Sequence, residues 1–245
     1  MSSISQKLQA VHDSIHAAAL AASRPVDSVM LLAVSKTFGA DAVLQAAAAG
    51  QRAFGENYVQ EALEKMVAVN QLLQTFNVAT DKLLLQSPVL EWHFIGPIQS
   101  NKTRLIAENF AWVHTIEREK IARRLSEQRP PELPPLQVCL QVNISEEASK
   151  SGVSVDQALE VARAIAALPG LKLRGLMAIP EPTDDVARQR AAFRQVRELF
   201  SELNAHGLGL DTLSMGMSGD MTAAIAEGAT IVRVGSAIFG ARTYS

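Results

Sequence analysis

Four features of this sequence have residue types and spacings that could do chemistry. Lys36 stands two residues beyond the apolar run at 29–34, after Ser35, so its amine would emerge at the end of a buried strand. Burial there favours the neutral, nucleophilic amine that attacks carbonyl carbons to form a Schiff base. The turns SMGMSG at 214–219 and VGS at 234–236 combine glycine, which lets backbone approach a ligand, with serine hydroxyls. Both precede helical segments whose first N–H groups lack intrahelical partners, which is how a phosphate is cradled. Arg233 lies two residues before Gly235, on the same side of a pleated strand, and supplies a permanent positive charge.

These residues lie at opposite ends of the chain, so the fold must bring them together. Between them the apolar pattern alternates strand and helix. Strands are expected at 29–34, 51–56, 91–96, 111–116, 136–144, 171–179, 212–216 and 230–235. Helices are expected at 40–49, 59–73, 103–110, 117–128, 155–168, 184–207 and 219–229, after a first helix with Ile4, Leu8, Val11 and Ile15 on one stripe. Eight such units in about 250 residues suit a closed α/β (β/α)8 TIM barrel, expected here as a single domain over residues 1–245. An open doubly wound sheet is the competitor, but no GxGxxG follows any strand. The proline-rich stretch 129–135 reads as a rigid connection, and 70–90 as a surface insertion with some helix of its own.

In such a barrel, chemistry gathers where the strands end, and phosphate binds in the loops after the last two. That places Lys36 across one mouth from Met217, Ser218, Gly235 and Ser236. The pocket suits a molecule with an aldehyde and a phosphate, and pyridoxal 5'-phosphate is one. Arg233 would then face the pyridine nitrogen and keep it unprotonated, leaving the ring a poor electron sink. From spacing alone, a Schiff-base aldolase acting on a sugar phosphate explains the lysine and the cradle equally well.

The remaining composition excludes several classes. A net charge of -2 gives no electrostatic case for nucleic acid, and no segment approaches the roughly 20 apolar residues of a membrane span. The N-terminus does not resemble a signal peptide, so a soluble cytoplasmic protein is expected. Cys139, the single cysteine, reads as a small buried hydrophobe. His12 and His16 share a helix face without a third metal ligand in view. His93 and His114 read as hydrogen-bonded structural groups. In QSNK, Ser100 or Asn101 reads as a helix N-cap, with Lys102 and Arg104 placed to guide an anion.

The stretches LLAVSK, QRAFGENYVQEALEKM, EWHFIGPIQSNKTRLIAENFAWVHTIER, QVNISEEASKSGV, RGLMAIPEP and LSMGMSGDMTAAIAEGATIVRVGSAIFGAR closely resemble the pyridoxal phosphate homeostasis protein family over nearly the whole chain. The resemblance implies a barrel like the N-terminal domain of alanine racemase, of pyridoxal-phosphate fold type III. It implies pyridoxal 5'-phosphate held as a Schiff base on Lys36, with Asn57 beside the cofactor. Ser218, Gly235 and Ser236 would then hold the phosphate, and Arg233 would face the ring nitrogen. It further implies a non-catalytic protein, expected to be a monomer, that buffers the cofactor or delivers it to pyridoxal-phosphate-dependent apo-enzymes. Two departures are visible: Gly219 stands where the family carries an acid, which would loosen the loop beside Ser218, and the 70–90 stretch is longer. The rival is an amino-acid racemase or decarboxylase. It needs a second acid/base, and the two tyrosines, Tyr58 and Tyr244, are not placed for that work.

Overall fold

A computed structural model describes residues 3–79, 89–145 and 151–240. Its strands are β1 (Met30–Val34), β2 (Ala53–Glu56), β3 (Glu91–Phe94), β4 (Trp112–Ile116), β5 (Leu136–Asn143), β6 (Val153–Ser154), β7 (Leu171–Met177), β8 (Thr212–Ser214) and β9 (Ile231–Val234). Every pairing is parallel. The ring runs β1-β2-β3-β4-β5-β7-β8-β9 and closes where Met30–Ala33 pair with Ile231–Val234, so the barrel has eight strands. The two-residue β6 was not foreseen; it lies beside the end of β5, outside the ring.

The helices are α1 (Ile4–Ala21), α2 (Ala40–Ala48), α3 (Val59–Ala79), α4 (Thr103–Asn109), α5 (Glu119–Gln128), α6 (Ala158–Ala166), α7 (Val186–Ala205), α8 (Met221–Ala226) and α9 (Ser236–Phe239). The apolar stripe of α1 buries Leu8, Val11 and Ile15, and the helix packs against α2, α8 and α9. A capping box at Ser3 and Gln6 starts it, and Arg24 just past its end donates to the Ile225 carbonyl of α8 at 2.8 Å. Helix α3 runs past the expected Leu73 to Ala79, absorbing about half of the 70–90 stretch; residues 80–88 lie outside the described residues.

Among the described residues, buried apolar side chains form two bodies. The larger fills the shell between sheet and helices. The smaller, Leu32, Ala53, Trp112, Cys139, Met177 and Ile231, comes from six different strands and fills the barrel interior. Cys139 lies there, and burial pushes its thiol up to about 12. The proline-rich connection is pinned by Arg129, which donates to the carbonyls of Pro134, Ala107 and Phe110.

The expected N-cap at Ser100 or Asn101 is not formed. Residues Ser100–Lys102 make a 3-10 turn instead, with the Thr103 hydroxyl donating to the Ser100 carbonyl at 3.1 Å, so the connection enters α4 without a side-chain cap. His12 and His16 remain on the outer face of α1. Among the described residues no helix is long and apolar enough to cross a membrane.

Candidate functional site

Pairing of β1 with both β2 and β9 brings the two ends of the chain to one mouth. A cleft of about 300 Å³ opens there, and its walls include Lys36, Asn57, Met217, Ser218, Arg233, Gly235 and Ser236. All seven residues expected from the sequence therefore meet in one place. Val34, Phe38, Ile95 and Ile179 supply apolar surface around them.

Lys36 leaves β1 through a strained turn. Thr37 sits at φ +68°, a left-handed conformation that a β-branched residue rarely adopts. Three contacts hold it. Phe38 N–H donates to the Ser35 carbonyl at 3.1 Å, and Thr37 N–H donates to Glu61 Oε1 of α3 at 2.6 Å. Buried Lys65, one turn further along α3, then donates to the Ser35 carbonyl at 2.8 Å, Glu56 Oε1 at 2.7 Å and Glu61 Oε1 at 3.0 Å. Glu56 also accepts from Ser35 Oγ at 2.6 Å. Burial raises the Glu56 carboxyl above its usual range, opposed by Lys65 and Ser35. Sequence reasoning missed this clamp. Its only trace is the i, i+4 spacing of Glu61 and Lys65, an ordinary surface pairing that says nothing of burial.

Across the cleft, Arg233 is almost wholly buried. It donates to the Ser214 carbonyl at 2.6 Å, Ser214 Oγ at 2.8 Å and the Ala178 carbonyl at 3.0 Å. Its terminal nitrogens are thereby oriented while its Nε–H and one further N–H remain for a ligand. Burial lowers Arg233 to about 10, so it stays charged at neutral pH.

The turn after β8 is closed by Asp220, which accepts from Met217 N–H at 2.6 Å and returns its own N–H to the Met217 carbonyl at 3.1 Å. The acid that fixes this loop is thus the residue after Gly219. The loosening expected at Gly219 is offset by these two bonds, and a Cβ there would meet nothing. Gly235 is small for a different reason. A Cβ there would lie 3.0 Å from the Val34 carbonyl oxygen, so its freedom serves the β9–β1 seam as much as the cleft.

Asn57 is part of the cleft wall, and its Oδ1 is a buried acceptor without a hydrogen-bond partner. A buried acceptor left open calls for a donor from a ligand. Lys102 and Arg104 do not line the cleft, and Arg104 instead reaches Glu108 at 3.7 Å. Tyr58 is exposed and lies outside the lining; Tyr244 falls outside the described residues. His93 and His114 are buried in the interior, hydrogen-bonded to each other.

A parallel eight-stranded barrel, with a lysine after its first strand and glycine–serine turns after its last two, defines a class. The family model for the alanine racemase N-terminal domain matches residues 7–243. Within that class the chain belongs to the pyridoxal phosphate homeostasis protein family. It is 57% identical over 244 residues to the pyridoxal phosphate homeostasis protein of Pseudomonas aeruginosa, covering 100% of this chain and 98% of that one. It is 52% identical over 245 residues to the protein of that name from Escherichia coli K12, covering 100% and 99%. Among solved structures, PipY of Synechococcus elongatus PCC7942 with PLP bound superposes with a TM-score of 0.79 at 36% identity, covering 97% of this chain and 100% of that one.

Proposed function

We propose that this protein binds pyridoxal 5'-phosphate in the mouth of the barrel and serves cytoplasmic pyridoxal-phosphate homeostasis, holding the cofactor and passing it to apo-enzymes without turning over a substrate. The observation that carries this reading is the set of polar groups around one cleft: a lysine, a buried fixed arginine, two glycine–serine turns and the unpartnered acceptor oxygen of Asn57. Those groups suit an aldehyde, a ring nitrogen acceptor, a phosphate and a hydroxyl donor respectively. The family name of the full-length relatives and the PLP-bound PipY support the same ligand.

The cofactor supplies an electrophilic aldehyde, and the chain's own residues would do the rest. Lys36 provides the amine, held at the cleft by the Thr37 turn and the clamp beneath it. Met217, Ser218, Gly235 and Ser236 offer hydroxyl and backbone donors to the phosphate. Arg233 donates toward the ring nitrogen and disfavours a proton there.

Among the described lining residues the ionisable groups are Lys36 and Arg233. A racemase or decarboxylase needs a further acid or base at the reacting carbon. Among the described residues the lining offers no carboxylate, imidazole or phenol for that work, and this supports storage and delivery over turnover. A single barrel domain acting as a monomer suffices for this role.

Purified protein incubated with the cofactor should develop a visible absorption band that Lys36→Ala lacks. No band in the wild type, or an unchanged one in the variant, would sink the assignment. Delivery is tested by titrating an apo-enzyme with the loaded protein against free cofactor at equal concentration. Racemisation or decarboxylation across a panel of amino acids would overturn the non-catalytic part alone.

A further inference from the structure

A continuous line of buried polar groups crosses the barrel interior beneath the cleft. Arg233 Nη1 meets Ser214 Oγ at 2.8 Å, and Ser214 Oγ meets His114 Nδ1 at 2.7 Å. His114 Nε2 meets His93 Nδ1 at 2.9 Å, and His93 Nε2 meets Glu91 Oε1 at 2.8 Å. Arg233 is at the mouth, while Glu91 is the first residue of β3, at the far end, with its side chain 43% exposed. Ser214, His114 and His93 are fully buried, and His93 stacks on Trp112 at a 5.3 Å centroid distance.

The chemistry of the two ends fixes the direction of every link. A guanidinium can only donate, and a carboxylate can only accept. Burial lowers both imidazoles, and for His114 the neighbouring His93 and Arg233 add to it, so both rings are neutral at physiological pH. Each neutral ring has one N–H and one bare nitrogen. Glu91 must receive the His93 Nε2 hydrogen, which leaves His93 Nδ1 to accept. His114 therefore carries its hydrogen on Nε2 and accepts at Nδ1 from the Ser214 hydroxyl. That hydroxyl, having spent its hydrogen, accepts from Arg233. One arrangement satisfies all four links, and it runs from cation to anion.

We propose that Ser214 and His114 are positioning residues in a one-way hydrogen-bond chain that couples Arg233 to Glu91 and holds the guanidinium as a fixed donor at the cleft. Arg233 keeps its proton, so the chain is a set of aligned dipoles and conducts nothing. Its neighbours agree with that state. Asp220 from the turn after β8 supports the Arg233 charge, and the interior thiol of Cys139 stays protonated. At the other end Arg174 lies over the Trp112 ring at 4.9 Å and, after the His93 hydrogen bond, helps keep Glu91 ionised. The effect on a bound ring rests on the cofactor assignment above; the donor order does not.

Imidazole ¹⁵N spectra of the cofactor-free protein read the order directly. The expected result is a hydrogen on Nε2 of both rings, unchanged between about pH 7 and 8. A hydrogen on Nδ1 of either ring, or exchange between tautomers, overturns the one-way chain. Glu91→Gln, at the partly exposed rim, gives the far end a donor as well as an acceptor. Both directions then become available, and the two histidines should shift together toward averaged values. Retention of the single wild-type order there would show that the carboxylate does not direct the chain.

The link to the cleft is read in the loaded protein. Ser214→Ala should move the visible band and weaken cofactor affinity about threefold or more, and Ser214→Thr, which restores the hydroxyl, should recover both. Wild-type band and affinity in Ser214→Ala would overturn the positioning role. A protein that takes up no cofactor would instead sink the preceding assignment, and the ¹⁵N spectra would still decide the chain.

Discussion

Replacing Lys65 by methionine keeps the volume and apolar stem of the side chain and removes its ammonium. Three acceptors lose a donor at once: the Ser35 carbonyl, Glu56 Oε1 and Glu61 Oε1. The largest consequence falls on Glu56, which is fully buried and would keep only the Ser35 hydroxyl as a partner. Breaking a buried ion pair by removing one member costs about 3–5 kcal/mol because the other charge stays uncompensated. Glu56 has an escape, since burial already raises its carboxyl above the usual range and loss of Lys65 raises it further. A carboxyl whose folded pKa lies above its unfolded value binds more proton in the native state. Stability then falls as pH rises from the unfolded pKa through the folded one. Lys65→Met should therefore lose about 3 kcal/mol or more near pH 8 and much less near pH 5. Urea denaturation followed by far-UV circular dichroism at the two pH values measures this. Adding Glu56→Gln should recover most of the loss at pH 8 and abolish the pH dependence. A pH-independent loss, or one under about 1 kcal/mol at pH 8, would refute the buried-pair account. The same variant frees the Thr37 turn, so the surviving folded protein should take up cofactor more slowly than wild type.

Gly235→Val must push a branched side chain against Val34 of β1, whose carbonyl oxygen is 3.0 Å from the first added carbon. The seam should open by a few tenths of an ångström at a cost of about 1–3 kcal/mol, with cofactor affinity falling in a spectral titration; wild-type affinity would contradict the cleft. Glu227 is buried and paired with Arg190, Arg194 and Arg197 of α7. Burial opposes its ionisation, but the arginines prevail and hold it below the usual carboxylate range. Its stabilisation is present above the unfolded pKa and is lost as pH falls through the folded one. Glu227→Gln should thus cost about 1–2 kcal/mol at neutral pH, discounted because the arginines are half-exposed, and flatten the acid limb of a melting-temperature profile. The Cys139 thiol, buried and pushed up to about 12, should resist alkylation in the native protein and react once denaturant is added.

Much of the fold was legible because strand and helix leave different apolar periods. The run at 29–34 and the stripe of Ile4, Leu8, Val11 and Ile15 each name their element without tertiary help. The site was legible for a related reason: strand ends in a parallel barrel share one face, so Lys36, Asn57, Ser218 and Arg233 meet once the strands are ordered. Other features depend on partners distant in sequence. Lys65 reads as one half of a solvent-facing i, i+4 pair, and only the closure of α3 onto β1 and β2 buries it. The end of α3 was misjudged because residues 74–79 carry neither glycine nor proline to stop the helix. The 3-10 turn at Ser100–Lys102 was invisible because serine and asparagine serve caps and turns alike.

The interior histidines carry this point furthest. In sequence, His93 and His114 are polar residues set among the large apolar side chains of two strands, each an apparent departure from the pattern around it. The barrel turns the two departures into neighbours 2.9 Å apart and gives each a second partner, Glu91 for one and Ser214 for the other. An apolar interior would stabilise the barrel at lower risk, since a half-satisfied polar chain costs more than no chain. What an apolar interior could not supply is a side-chain hydrogen-bond partner for Arg233, whose other hydrogen bonds go to backbone carbonyls and whose charge Asp220 also supports. The polar chain is therefore best understood from the cleft downward. A cation fixed at the cleft needs an oriented hydroxyl, the hydroxyl needs an acceptor, and the line of acceptors ends only where a carboxylate can reach water.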